Sequence, residues 1–293
     1  MAPLLLGWYE ASARDLPWRR SGVSPWAVLV SEFMLQQTPV TRVLPAYDAW
    51  LARWPTPASL AAEPAGEAIR QWNRLGYPRR ALRLHAAAQR IVDRHDGEVP
   101  DALNDLLALP GVGGYTAGAV ASFAFGQRHP VVDTNVRRVL HRYLRGTDGL
   151  DSGSGAADRQ LAETVLPAGP AVATACGVAL MELGALVCTA RAPGCDRCPL
   201  AVTCRRLAVA PKGVGWPLEA ARSEPRRRQP SYAGSDRNAR GELLRALRAS
   251  RAAVPPATLL AAWPEPAQGA RALASLLTDG LTVRLPDGTL TLP

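Results

Sequence analysis

Lysine is almost missing from this chain: Lys212 is the only one in 293 residues, and 33 of the 34 basic side chains are arginine. Chemistry that needs a lysine amine as nucleophile is therefore excluded from residues 1–210. A long charge-free apolar run is also absent. The most apolar stretch, 171–188, is rich in Ala and Gly and broken by Glu182, so it reads as a buried helix rather than a membrane span. Residues 1–6 are apolar, but Glu10, Arg14 and Asp15 follow with no small-residue cleavage site, which argues against a secretory leader and predicts a cytoplasmic protein. No low-complexity tract, heptad run or strict glycine period occurs, which excludes disordered, coiled-coil and collagen-like chains.

What is there is globular. A 47% hydrophobic content with 8 tryptophans supplies enough apolar surface for one large domain or two ordinary ones. The 34 basic and 25 acidic side chains leave a formal charge of +9, which suits a polyanionic partner. The excess divides as 22 basic against 18 acidic over 1–210 and 12 against 7 over 211–293, so the tail is the more basic part per residue.

Before Cys204 the chain reads as helix after helix, with no convincing alternating strands, and residues 1–210 are predicted to form an all-helical domain. Helix-period faces fall at 25–40, 81–95, 102–109, 115–125, 135–144 and 171–186. Residues 211–231, with Pro211, Gly213, Gly215, Pro217 and the run Arg226-Arg227-Arg228, read as a linker. Residues 232–293 read as three helices (237–250, 257–263, 267–277) and a hairpin, 281–285 and 289–292, around Pro286-Asp287-Gly288. That order resembles a winged helix. Its role stays open between extra DNA contact and a protein partner.

Two motifs carry chemistry. Leu109-Pro110-Gly111-Val112-Gly113-Gly114-Tyr115 puts a glycine-rich hairpin between two helical patterns, where backbone amides and a helix N-terminus can meet an anion; the bland reading is an ordinary helix–helix turn. Cys188, Cys195, Cys198 and Cys204 follow C-x6-C-x2-C-x5-C, closer to a metal or cluster site than to disulfides. Spacing alone leaves structural zinc and an iron–sulfur cluster both open. Cys176 lies outside the pattern and reads as a small buried residue. His85, His95, His129 and His141 show no ligand spacing and read as structural or solvated.

Six ordered strings then carry a resemblance. They are LPWR at 16–19, SEFMLQQT at 31–38, RLGY at 74–77, the hairpin, VDTNVRRV at 132–139 and MELGALVC at 181–188. Over roughly residues 8–207 the chain resembles the MutY family of A/G-specific adenine DNA glycosylases, within the endonuclease III or helix-hairpin-helix superfamily. The resemblance implies an all-α helix-hairpin-helix glycosylase fold, with two helical subdomains and an iron–sulfur loop, followed by the winged-helix-like module. It implies a 4Fe-4S cluster on Cys188, Cys195, Cys198 and Cys204. It also implies a monomeric, nucleoid-associated enzyme that removes adenine opposite 8-oxoguanine or guanine from double-stranded DNA. A glycosylase for another mismatched base, such as T opposite G, and a non-catalytic DNA-damage-binding protein are the alternatives; retention of Glu32 and Asp133 counts against the second.

Residue roles follow from the same match. Purine departure needs a proton on the leaving ring and negative charge beside an oxocarbenium-like sugar. Glu32 is the expected acid, in an apolar helix beside Phe33 and Met34 where desolvation favours its protonated form. Asp133 is the expected stabiliser of the sugar cation and also an expected N-cap; Asn135 lies beside the reacting centre. Tyr115 stands where bifunctional relatives carry a Schiff-base lysine, so the enzyme is expected to be monofunctional, with Tyr115 packed on the active site. Gln37 and Tyr77 match intercalating positions. Gly111, Gly113, Arg19 and Arg191 are expected on DNA. Glu182 is either a hydrogen-bonded core carboxylate or, as the resemblance implies, an acid near the site that supports the reacting groups without touching them. Thr134 replaces a usual glycine and Pro78 a usual tyrosine. Only 83 residues, in a helix-rich pattern, follow Ala210, so the family's C-terminal 8-oxoguanine-reading domain is expected to be absent or replaced.

Overall fold

Helix 170–186 shows how a sequence of small residues with a single carboxylate becomes a packing core. The computed structural model describes residues 1–149, 155–209 and 231–293, and the expected linker lies outside them apart from its last residue. Pro170 opens this helix at its first turn, where a missing N–H costs nothing. The helix buries Ala173, Cys176, Ala179, Leu180, Glu182 and Leu183, and Cys176 packs with Leu166 and Ala173 as expected. Among the described residues no helix is long and apolar enough to cross a membrane.

The described residues divide into two compact units. The first takes 1–28, 101–107, 112–149 and 155–209; the second takes 29–100, 108–111 and 231–293. In the first unit, the apolar start forms the helix Ala2–Ser12, which the sequence reading left unassigned. Leu5 is fully buried among Val136, Val139, Leu140, Leu180 and Leu183. The expected helix 135–144 is observed as Thr134–Leu140 followed by a single π-helical turn, His141–Arg145, that ends on left-handed Gly146.

The helix expected over 25–40 stops at Leu35, and a separate helix of the second unit, Val40–Arg53, to which no sequence pattern was assigned, follows it. The break comes from Gln37, which takes φ 55, and from Pro39, which caps the second helix. Helices Pro57–Ala61, Ala65–Trp72 and Arg79–Arg94 follow. Their core holds an edge-to-face aromatic set, with Trp50 centred 4.6 Å from Trp54 and 5.6 Å from Trp72.

Residues 231–293 belong to this same unit. They form helices Asp236–Ala249, Pro256–Leu260 and Pro266–Thr278, then strands Val283–Arg284 and Leu290–Thr291 paired antiparallel with Val283 opposite Thr291. The Asp287 side chain accepts from the Thr289 amide at 2.9 Å, which fixes the turn. This segment is clamped to helix Ala65–Trp72. Arg70 donates to the carbonyls of Leu247, Arg248 and Ser250, orphan acceptors at the end of Asp236–Ala249. Arg248 returns a bond of 3.0 Å to the Ile69 carbonyl, and the Gly66 amide donates to the Pro293 carbonyl.

Candidate active site

Asp133 caps the helix Thr134–Leu140, and both of its carboxylate oxygens are engaged. Oδ1 accepts from the amides of Asn135 at 2.9 Å and Val136 at 2.7 Å, while Oδ2 accepts from Asn135 Nδ2 at 2.8 Å. Asn135 is thereby oriented, and its Oδ1 takes a 2.7 Å bond from Arg138 Nη2. Arg138 goes on to the carbonyls of Gly184 and Cys188, each at 2.7 Å. A continuous hydrogen-bonded chain therefore runs from Asp133 to the first cysteine of the thiol loop. Arg138 lies within the string VDTNVRRV, and its i, i+3 spacing from Asn135 is the one sequence signal of this contact. Gly184 makes this approach possible, because a Cβ there would meet Asn135 Cβ at 2.7 Å and its carbonyl oxygen at 2.9 Å.

Glu182, fully buried, is held by two arginines. The Arg14 amide and Nε reach Oε1 at 3.1 and 2.7 Å, Arg14 Nη2 reaches Oε2 at 2.7 Å, and Arg19 Nη1 reaches Oε2 at 2.8 Å. Burial alone would raise this carboxyl, but the Arg14 hydrogen bonds and the Arg19 charge override it and bring it down to about 2. Glu182 is thus an ionised, paired core carboxylate, and Arg19, expected on DNA, spends Nη1 on it. Arg14 is a partner that composition could not reveal.

Tyr115, in the first turn of Gly114–Phe123, is 38% exposed. Gly113 has open space where a Cβ would be. Arg191 is exposed. Of the histidines, His141 pairs with buried Asp158 at 2.9 Å, and His129 Nε2 lies 3.1 Å from Gln127 Oε1.

The four cysteines line one cavity, together with Arg142 and Pro193. Arg142, from the π turn, donates to Cys188 Sγ at 3.5 Å and to the Thr189 carbonyl at 2.7 Å. Burial, offset in part by the Leu200 amide and reinforced by the neighbouring thiols, pushes Cys198 up to about 11. Among the described residues no group of three or more His, Cys, Asp or Glu is drawn close enough to hold a single metal ion.

The second unit carries the remaining site residues. Glu32 is 6% exposed, in a helix whose neighbours Leu29, Phe33 and Met34 are fully buried. Gln37 and Tyr77 are exposed, and both take left-handed backbone, φ 55 and φ 48. Gly111 needs its φ of 81, and a Cβ there would also meet Arg83 Cβ at 2.7 Å and Phe33 Cε1 at 2.9 Å. His85 Nε2 lies 2.7 Å from the Glu63 carbonyl oxygen.

Residues 30–162 match the HhH-GPD superfamily of base excision DNA repair proteins. By fold the chain is similar to a thermostable thymine-DNA glycosylase, with TM-score 0.62 and 30% identity over 71% of this chain and 94% of that one. The fold is that of a helix-hairpin-helix base excision protein. More specifically, the chain is 51% identical over 292 residues to the adenine DNA glycosylase of Mycobacterium tuberculosis (strain ATCC 25618 / H37Rv), covering 99% of this chain and 92% of the relative. It is 49% identical over 285 residues to that of Mycolicibacterium smegmatis, covering 97% and 93%. The chain belongs to the adenine DNA glycosylase family.

Proposed function

We propose that this enzyme hydrolyses the N-glycosidic bond of adenine mispaired with 8-oxoguanine or guanine in duplex DNA, and that it is monofunctional. The observation that supports it most is the pair of carboxylates the chemistry needs: Glu32, buried on the helix that also buries Leu29, Phe33 and Met34, and Asp133, half-buried with both oxygens held in place. Glu32 donates the proton to the departing purine ring. Asp133 balances the positive charge that develops on the sugar, and Asn135 and Tyr115 position it. Water completes the hydrolysis, because residues 1–210 hold no lysine to form a Schiff base and Tyr115 cannot form one.

Gln37 and Tyr77 fill the space that the flipped adenine leaves. The hairpin at Gly111 and Gly113 takes phosphate on its amides, and Arg191 adds charge. Arg19 acts mainly by fixing Glu182. Cys188, Cys195, Cys198 and Cys204 hold a 4Fe-4S cluster, which when bound would cross-link the 188–204 loop. The donor set fits: four thiols line one cavity, and thiolates are the ligands such a cluster takes. The chain acts as a monomer, with the 232–293 module free to add DNA or protein contact and the 211–231 segment as linker.

Single-turnover base release on duplexes carrying A opposite 8-oxoguanine, A opposite G and T opposite G, read with and without alkali, tests the proposal. Strand breaks only after alkali, fastest for A opposite 8-oxoguanine, are expected. Thymine release, or breaks without alkali, would overturn it.

A further inference from the structure

Arg80, in the first turn of Arg79–Arg94, is 5% exposed, and no acidic side chain pairs with it among the described residues. A buried cation without an anion is costly, so its surroundings must supply acceptors. They do, from two separate segments. Nη1 donates to the carbonyls of Phe33 at 2.7 Å, Met34 at 2.9 Å and Gln36 at 2.6 Å. Nη2 donates to Thr38 Oγ1 at 2.9 Å and the Gly76 carbonyl at 3.2 Å. Nε has no partner. The guanidinium carbon lies 5.5 Å from the Tyr77 ring centroid and 5.1 Å from that of Trp72.

The acceptors are not a random set. Phe33 and Met34 belong to the last turn of the helix that carries Glu32, where carbonyls lack intrahelical partners. Gln36 and Thr38 flank Gln37, and Gly76 precedes Tyr77. Gln37 and Tyr77 are two of the four non-glycine residues with positive φ among the described residues. Such backbone persists only where the surroundings enforce it. One side chain is bonded next to both.

We propose that Arg80 is a positioning residue for base extrusion: its single guanidinium holds the Gln37 and Tyr77 turns in left-handed backbone, so that both wedge side chains are presented together. This rests on the wedge reading above. A planar fork with several donors is required, which a lysine ammonium does not provide.

The test compares Arg80→Lys, Thr38→Ala, Gln37→Ala and Tyr77→Ala with the full-length parent, using thermal melting to establish that each is folded. Extrusion is read by the fluorescence of 2-aminopurine opposite 8-oxoguanine, and chemistry by single-turnover release of adenine opposite 8-oxoguanine or opposite an abasic site. An unpaired adenine needs less help to leave the stack, so Arg80→Lys should lose on the order of tenfold or more on the paired substrate and less than about threefold on the unpaired one. Thr38→Ala, which removes one anchor, should show the same selectivity at smaller amplitude, and it decides the question if Arg80→Lys does not fold. Equal losses on both substrates, or no loss in a folded variant, would overturn the proposal. If Gln37→Ala and Tyr77→Ala both leave extrusion unchanged, the wedge reading fails and the proposal with it. If either of them impairs extrusion while Arg80→Lys does not, only the positioning role fails.

Discussion

Glu182 is the residue whose charge state its neighbours set most strongly. Its carboxyl is lower in the folded chain than in the unfolded one, so the stability it contributes is complete above the unfolded value near 4.5 and is lost as pH falls through about 2. That contribution is on the order of 3 kcal/mol. Thermal melts between about pH 5 and pH 2 should therefore fall more steeply for the parent than for Glu182→Gln. Asp133 separates two roles in one side chain. Asn caps helices as well as Asp does, so Asp133→Asn should change stability by less than about 1 kcal/mol. It should still lower single-turnover adenine release about 100-fold or more, since the negative charge beside the sugar is gone. A variant that kept its rate would remove Asp133 from the chemistry. Glu32 and Asp133 are candidates on their residue types, spacing and flanking strings alone; Arg14, Arg138 and Arg80 were not visible that way, because arginine is common here and only contacts tell one from another.

At the scale of elements, close approach matters more than propensity. Helix 170–186 meets the start of helix 134–140 at Gly184, and Gly184→Ala should push Asn135 away and cost about 1–3 kcal/mol, read by denaturant unfolding, with a parallel loss of base release. Arg70→Ala removes donors from three carbonyls that end helix 236–249. Amide exchange in 243–250 should accelerate while the 134–140 helix is unaffected. One helix start was readable from capping chemistry, at Asp133. Helix ends were less so: the apolar positions of the 25–40 pattern end at Met34, and the expected bound ran past the Gln37 turn to Val40, since periodicity reports the face a segment would bury and not where the backbone departs from it.

For the whole molecule, the thiol loop and the charge excess make separate claims. Iron and acid-labile sulfide in roughly equal amounts should co-purify with the parent and be lost in Cys198→Ser; zinc in their place would overturn the cluster assignment. The arginine excess should make DNA affinity fall steeply with salt, with Arg191→Ala reducing the salt slope by about one unit in a binding titration over salt concentration.

Composition, the missing lysines, the hairpin glycines, the four-cysteine spacing and six short strings were enough to determine the class of chemistry and the family, because these signals are local in the chain. Only the tertiary structure decided that Arg19 faces Glu182, that Arg138 ties Asp133 and Asn135 to the thiol loop, that Arg80 stands beside exposed Gln37 and Tyr77, and that residues 231–293 are clamped to helix 65–72. Each of these joins side chains to acceptors remote in sequence. An arginine's partner is chosen by which carbonyls and carboxylates packing leaves unsatisfied nearby, and that is settled only when the chain has folded.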